Sequence, residues 1–271
     1  MSPASLTLVG FDSSWTDHPR ACGAICALAM AGGKTAFHPP RLASFAEALD
    51  FIRALAPRDG ATLVAIDQSI IVPNSTGARP VERAAGSLIG WLGGGVQPSN
   101  RNRRGMFCDD APIWRFLRDL DADMRPEEAR IASSGRHVIE VFPALALPSL
   151  DPGFLGRLAA PRYNPARCKT FRHADWVRVA GVIARHFDAF GLARPAAWCR
   201  DAALLERPRK ADQDRLDAMI CLLTALWWRR QNCSRSVMLG DLDSGYVVAP
   251  ATPDVRHRLE QAALRQDIGA R

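Results

Sequence analysis

Residues 6–15 read LTLVGFDSSW, an apolar run that ends in an aspartate followed by two serines and a tryptophan. Such a run predicts a buried strand in the middle of a sheet. A carboxylate just beyond the strand emerges at the sheet edge where open α/β folds bind their ligands. Asp12 is therefore the first candidate for chemistry. The alternative is that Asp12 caps a turn with the help of Ser13 and Ser14.

The runs that follow predict two partner strands. Residues 21–30 and 34–37 are apolar enough to pair with the first strand, and a pair of glycines separates them. Together the three runs predict an antiparallel meander. We expect it to end at Pro39 and Pro40, because proline cannot donate to a strand ladder.

A helix and a fourth strand are predicted next. Ser44 is placed to cap a helix that runs to about residue 55, with apolar residues at helical spacing. Residues 61–66 then form a second buried run, and it ends in Asp67 as the first ends in Asp12. This order is that of a mixed sheet with right-handed crossovers.

Two later elements carry further carboxylates. Residues 136–142, RHVIEVF, predict a strand with Glu140 in its middle, where a buried charge costs free energy unless it is paired or binds a cation. An edge-facing Glu140 is the alternative. Residues 211–230 predict a long helix in which Asp214 and Asp217 share one face. Capping explains an acidic residue in the first turn, but not Asp217, a full turn into an apolar helix.

The remaining elements are predicted to extend this one unit. We expect helices over residues 79–92, 113–120, 169–190 and 253–266, and a short strand near 246–248. The last strand and helix are predicted to be peripheral. No repeat or linker divides the sequence. We therefore expect one domain over residues 1–271, with insertions at about 92–135 and 144–210.

Composition bounds the class of protein. The chain has 271 residues, 48% of them hydrophobic, and a formal net charge of +7. No apolar run approaches the length of a membrane span, about 18 residues, and no secretory signal is recognisable. We therefore expect a cytoplasmic protein without membrane contact. The seven cysteines lack the paired spacing of a zinc site. The positive charge favours a polyanionic partner.

A basic loop is the candidate phosphate contact. Residues 93–105 begin with three glycines and carry Arg101, Arg103 and Arg104. Arg79 and Lys169 complete the candidate substrate-binding residues. The alternative for the loop is a solvated run of charge. Its glycines lack the strand and helix context of a nucleotide-binding loop.

The acidic residues together predict a metal centre. If the strands that end in Asp12 and Asp67 are neighbours, the helix with Asp214 and Asp217 would add two more carboxylates, with Glu140 as a fifth candidate. Such a cluster holds protons at neutral pH unless cations neutralise it. Oxygen ligands select Mg²⁺ or Mn²⁺. Two such ions, about 3.5 to 4 Å apart, can activate a water and stabilise the leaving oxygen in phosphodiester cleavage.

Three motifs in this order resemble the ribonuclease H-like superfamily: GFDSSW on the first strand, VAIDQS after the first helix, and DQDRLDA on a late helix. The aspartates of that helix resemble those in the last helix of Holliday-junction resolvases. More narrowly, IDQSIIVP, RPVERAAG and the sequence from Glu140 to Pro143 resemble the bacterial domain-of-unknown-function family 429, predicted RNase H-like nucleases. The resemblance spans about residues 6–250. This sequence differs from the family pattern at two positions. Gln213 stands where the family usually has the first of two aspartates, and Phe142 stands where it often has histidine.

The resemblance implies a mixed five-stranded sheet, a meander followed by parallel strands, and a metal-dependent nuclease that acts by a two-metal-ion mechanism. Two other functions stay open. One is a nucleotide- or phosphate-binding phosphotransferase, since sugar kinases and actin share this topology, although their phosphate loops place glycine beside the first aspartate. The other is a non-catalytic nucleic-acid-binding module. The choice between DNA and RNA, and between monomer and homodimer, also stays open.

Overall fold

The main sheet follows the predicted topology. The computed structural model describes residues 5–18 and 22–271, so residue 21 of the predicted second strand lies outside it. The strands are β1 (Ser5–Asp12), β2 (Gly23–Ala31), β3 (Lys34–Ala43), β4 (Gly60–Ile66) and β5 (Gly135–Glu140). Their order is β3-β2-β1-β4-β5. The first three are antiparallel, and β4 and β5 run parallel to β1. The predicted α/β sheet is confirmed.

Helices cover the sheet. Within the described residues they are α1 (Phe45–Leu55), α2 (Pro80–Trp91), α3 (Pro112–Leu120), α4 (Pro126–Ile131), α5 (Pro143–Leu150), α6 (His173–Ala189), α7 (Ala193–Ala203), α8 (Lys210–Arg230) and α9 (Pro253–Leu264). Several begin with proline, whose missing N–H is not needed at a helix start. The predicted cap of α1 is confirmed, because the Glu47 N–H donates to the Ser44 hydroxyl oxygen at 3.3 Å and the Ser44 N–H donates in return to the Glu47 carboxylate at 2.8 Å. None of these helices is long and apolar enough to cross a membrane.

The central contact of the fold lies between β1 and α8. β1 is paired on both edges, and α8 packs on it and on β2. Gly10 makes this approach possible, because a Cβ there would overlap the Ala218 carbonyl oxygen and lie 2.8 Å from the Leu222 Cβ. The missing side chain lets the helix backbone lie directly on the strand. This contact fixes the position of the acidic residues on both elements.

The third strand is longer than predicted. β3 continues through Pro39 and Pro40 to Ala43, and its pairing with β2 shifts register between Ile25 and Ala27. β3 is the outer strand of the sheet. Prolines are tolerated there because an edge strand has one side without a partner. The prediction that the two prolines end the meander is therefore wrong.

The C-terminal part of the chain is not peripheral. β6 (Ser236–Asp241) and β7 (Gly245–Pro250) form a second, two-stranded sheet. Its buried side chains pack with α2 and α9 around residues such as Val81, Val247 and Leu259. Val141 forms a bridge with Val248 and so connects this sheet to the end of β5. The prediction of a peripheral tail is corrected.

Other differences lie in helices. The predicted helix over residues 169–190 begins at His173, and α4, α5 and α7 fall in segments for which no helix was predicted. The short α4 and the Pro-rich α5 lack a long periodic pattern. The prediction of one domain with two insertions stays a prediction.

Candidate active site

Asp12 and Asp67 lie side by side at the ends of parallel strands. The register of β1 and β4 sets Phe11 opposite Ile66. Asp12 directly follows Phe11 in the chain, and Asp67 directly follows Ile66. The backbone continues the pairing, since the Asp67 N–H donates to the Phe11 carbonyl at 2.9 Å. Asp12 is only 8% exposed. The two carboxylates predicted from the strand ends are thus neighbours.

Asp217 joins them from α8. Gly10 and Asp12 point to the same face of the sheet, because alternate residues of a strand do so. The α8 backbone lies against Gly10, and Asp217 precedes the contacting Ala218 by one residue. Asp217 is 6% exposed, and both its oxygens are held. The Tyr163 hydroxyl donates to Oδ1 at 2.6 Å and the Gln213 amide donates to Oδ2 at 2.7 Å.

The three carboxylates repel one another in a buried setting. Burial, followed by the charges of Asp217 and Asp67, raises the pKa of Asp12 well above its usual value. Burial and the charge of Asp217 also raise the pKa of Asp67. Burial raises the pKa of Asp217 to about 6, although its hydrogen bonds from Tyr163 and Gln213 act in the opposite direction. Each of these shifts measures a charge that the fold leaves under-compensated.

Asp214 lies next to this group but is already paired. Lys210 and Asp214 form an ion pair across one helical turn of α8. Burial alone would lower the pKa of Lys210, but the hydrogen bond to Asp214 and the charge of Asp12 raise it overall. Lys210 therefore supplies positive charge at the edge of the aspartate cluster formed by Asp12, Asp67 and Asp217.

Glu140 occupies a different setting from the aspartates. Glu140 is the last residue of β5 rather than a residue in its middle, and it lies opposite Ile66 of β4. Its side chain is buried, so it does not face an exposed edge. Its carboxylate receives Arg79 Nη2 at 2.5 Å and Nη1 at 3.0 Å. Arg79 is 2% exposed and also donates to Glu82 at 2.9 Å. These contacts place Arg79 as the counter-ion of Glu140, whereas the sequence suggested a phosphate contact.

The predicted basic residues other than Arg79 do not line the cavities beside the cluster. Arg101 pairs with Asp109 and stacks on the Trp114 ring at 4.8 Å. Arg103 donates to a methionine sulfur. Arg104 and Lys169 are exposed and, like the other two, do not line the cavities beside the cluster.

Two arginines that the sequence did not single out do line these walls. Arg162 and Arg167 border a cleft of about 430 Å³ whose other walls include Asp67, Tyr163 and Asp217. Both side chains are exposed, and neither forms an ion pair within the described part of the chain. They lie on an irregular segment, so no periodicity marked them. The i, i+4 spacing of Gln213 and Asp217 on α8 is a sequence signal for their contact, as the same spacing of Lys210 and Asp214 is for theirs.

A divalent cation fits the donors of this site, although the side chains do not already enclose one. Within residues 5–18 and 22–271, no three His, Cys, Asp or Glu side chains are grouped closely enough to hold a metal ion as they stand. The donors are nevertheless all oxygens, which suit Mg²⁺ or Mn²⁺. Each Asp217 oxygen accepts one hydrogen bond and keeps a second lone pair. Gln213 Oε1 is buried beside it without a partner.

Fold and site define an α/β protein with a mixed sheet and a buried aspartate cluster at the carboxyl ends of its parallel strands. The chain belongs to the family described as Protein of unknown function (DUF429), whose model matches residues 10–239. The match covers the end of β1, including Asp12, and all of β4, β5 and α8, and thus the acidic residues that these elements bring to this edge. No curated protein and no solved structure matches the chain.

Proposed function

We propose that this protein is a metal-dependent phosphodiesterase that cleaves nucleic acid. The observation that carries the proposal is the aspartate cluster, in which burial and the charge of Asp217 raise the pKa of both Asp12 and Asp67. Keeping three such carboxylates together is unfavourable unless a cation binds to them. A purely structural role would be served better by neutral side chains.

Mg²⁺ or Mn²⁺ would be held by the three cluster aspartates, with Asp214 available if Lys210 releases it. When bound, the ions would polarise an attacking water and offset charge on the leaving oxygen. Glu140 takes no part in this proposal, since its carboxylate is already held by the Arg79 guanidinium.

The chain's own residues have separate tasks in this scheme. Tyr163 and Gln213 fix the orientation of Asp217 without neutralising it. Arg162 and Arg167 hold the phosphate, since their unpaired guanidinium groups border the same cleft. The net charge of +7 adds attraction for a polyanionic backbone.

The test is cleavage of single-stranded, duplex, hybrid and branched DNA and RNA with Mg²⁺ or Mn²⁺. We expect Asp12→Asn and Asp217→Asn to lose at least a hundredfold in rate. The exposed Asp50→Asn serves as a matched control with unchanged activity. Absence of cleavage with every substrate and metal would refute the proposal. Nucleic-acid binding that persists in that case would instead support a non-catalytic binding module.

A further inference from the structure

The cleft beside the aspartate cluster continues into a second, smaller chamber. The cleft of about 430 Å³ and the chamber of about 230 Å³ share Asp67, Gly95, Phe142 and Arg167 in their walls. We propose that this two-part cavity binds one unpaired nucleotide, so that the substrate is a single strand or an unpaired segment. The inference rests on the proposed function, because it takes the aspartate cluster as the reaction centre.

Gln213 carries an acceptor that the protein leaves unused. The Asp217 carboxylate can only accept, so the Gln213 amide nitrogen must face it, and Oε1 points elsewhere. Gln213 is 8% exposed and lines the cleft, and no described residue donates to its Oε1. Buried acceptors are almost always satisfied. A hydroxyl of the sugar is a donor of the right kind for this position.

The smaller chamber has the composition of a base pocket. Val81, Ala85, Val96 and Val247 give it apolar walls, and Phe142 offers an aromatic ring at the junction with the cleft. Gln68, Ser69, Gln97 and Ser99 add polar groups, and the mutually paired Arg79, Glu82 and Glu140 also line the chamber. Flat aromatic bases are bound in this way, by stacking and apolar contact with a small number of hydrogen bonds. Arg167, at the junction, would then hold the phosphate beside Asp67.

The walls of the cavity are held in place. Leu158 N–H donates to the Trp91 carbonyl at 3.0 Å and Ala160 N–H donates to the Leu92 carbonyl at 2.8 Å, which ties the segment before Arg162 to the end of α2. Asp67 and Asp217 therefore lie in the walls of a cleft whose neighbouring segment is tied to α2. A duplex keeps its bases stacked inside and must extrude one to fill a side chamber, whereas a single strand need not.

Gly95→Phe tests the pocket directly. A Cβ at Gly95 meets no atom within 4 Å, and the residue does not adopt the left-handed conformation, so the ring can enter the cavity without strain. Gly90→Phe is the matched control, since Gly90 is equally open, exposed on α2 and absent from both cavities. Calorimetric titration with AMP, dTMP, ribose 5-phosphate and inorganic phosphate, each with Mg²⁺, gives a readout independent of cleavage.

We expect wild type and Gly90→Phe to bind a mononucleotide at least tenfold more tightly than ribose 5-phosphate, and Gly95→Phe to lose that advantage. Phe142→Ala should lose it too, while Arg167→Gln weakens all four ligands. Equal affinity for AMP and ribose 5-phosphate, or tight AMP binding by a folded Gly95→Phe, would overturn the inference. If circular dichroism shows that Gly95→Phe does not fold, the binding of AMP and ribose 5-phosphate by Phe142→Ala tests the inference instead.

Cleavage separates this inference from the proposed function. Equal rates on a duplex and on its separated strand would refute the unpaired-nucleotide pocket and leave the nuclease in place. Mononucleotide binding without any cleavage would leave the pocket in place and refute the nuclease.

Discussion

Replacing Glu140 by glutamine distinguishes a structural carboxylate from a metal ligand. The sequence placed Glu140 with the metal-binding aspartates, but the structure pairs it with Arg79 through contacts of 2.5 and 3.0 Å. Its Oε2 also accepts the Ile70 N–H at 3.1 Å. Glutamine keeps the shape and removes the charge. We expect Glu140→Gln to cost stability and to leave metal affinity unchanged.

The magnitude follows from what remains around Arg79. Removing one partner of a buried ion pair costs about 3 to 5 kcal/mol, because the other charge is left buried. Glu82 stays within 2.9 Å of the Arg79 Nε and keeps part of the compensation. The glutamine amide also turns a donor towards either Arg79 or Ile70, which are donors themselves. We therefore expect a loss of about 3 kcal/mol in the free energy of unfolding.

Urea unfolding at pH 7.5 and titration with Mn²⁺ measure the two quantities separately. With a slope near 3 kcal/mol/M, the midpoint should fall by about 1 M. Glu128→Gln is the control, because Glu128 is an exposed partner of Arg125 at 3.8 Å and such pairs contribute little. A Glu140→Gln protein that unfolds like wild type, or that loses Mn²⁺ affinity as Asp217→Asn does, would refute this reasoning.

Three further variants test the cluster. The pKa of Asp217 is raised from 3.8 to about 6, so the folded protein holds this proton more tightly than the unfolded chain does. The contribution of protonated Asp217 to the free energy of unfolding is therefore fully present below about pH 4 and is lost as the pH rises through 6. In urea unfolding without metal, Asp217→Asn should gain up to ~3 kcal/mol over wild type between pH 4 and pH 8, and a constant difference would contradict this. Gly10→Ala should lose ~3 kcal/mol or more in the same assay, because α8 must retreat from β1, while Gly90→Ala should not. Lys210→Met should bind Mn²⁺ about tenfold more tightly by calorimetry, since a competing cation is removed; weaker binding would mean that Lys210 orients Asp214 for the metal.

The parts of the site that the sequence predicted are those set by local pattern. Asp12 and Asp67 end apolar runs, and a parallel register then makes them neighbours. Asp217 stands out because a charge a full turn into an apolar helix has no local use. These inferences needed only the rules for strands and helices, whereas the five-stranded sheet was expected from the resemblance to a known family.

The contacts across long sequence separations were out of reach. Arg79 and Glu140 are 61 residues apart, and no local rule connects them. Tyr163 reaches Asp217 over 54 residues from an irregular segment, where no period marks the residues that face inward. Pro39 and Pro40 continue a strand only because β3 is the edge of the sheet, and edge position is a property of the whole fold.

The acidic residues at this end of the sheet fall into two kinds, and the difference locates the chemistry. Glu82 and Glu140 share one buried guanidinium, so both carboxylates are held by a paired arginine although one negative charge is left over. In residues 5–18 and 22–271, no buried arginine pairs with Asp12, Asp67 or Asp217. Asp217 is oriented by Tyr163 and Gln213, whose groups are neutral. Hydrogen bonds of that kind hold a carboxylate in position and leave its charge available. The glutamates are held by a buried arginine, whereas the cluster aspartates have the ion-paired Lys210 at their edge, which is why the cluster, and not the glutamates, carries the proposed reaction.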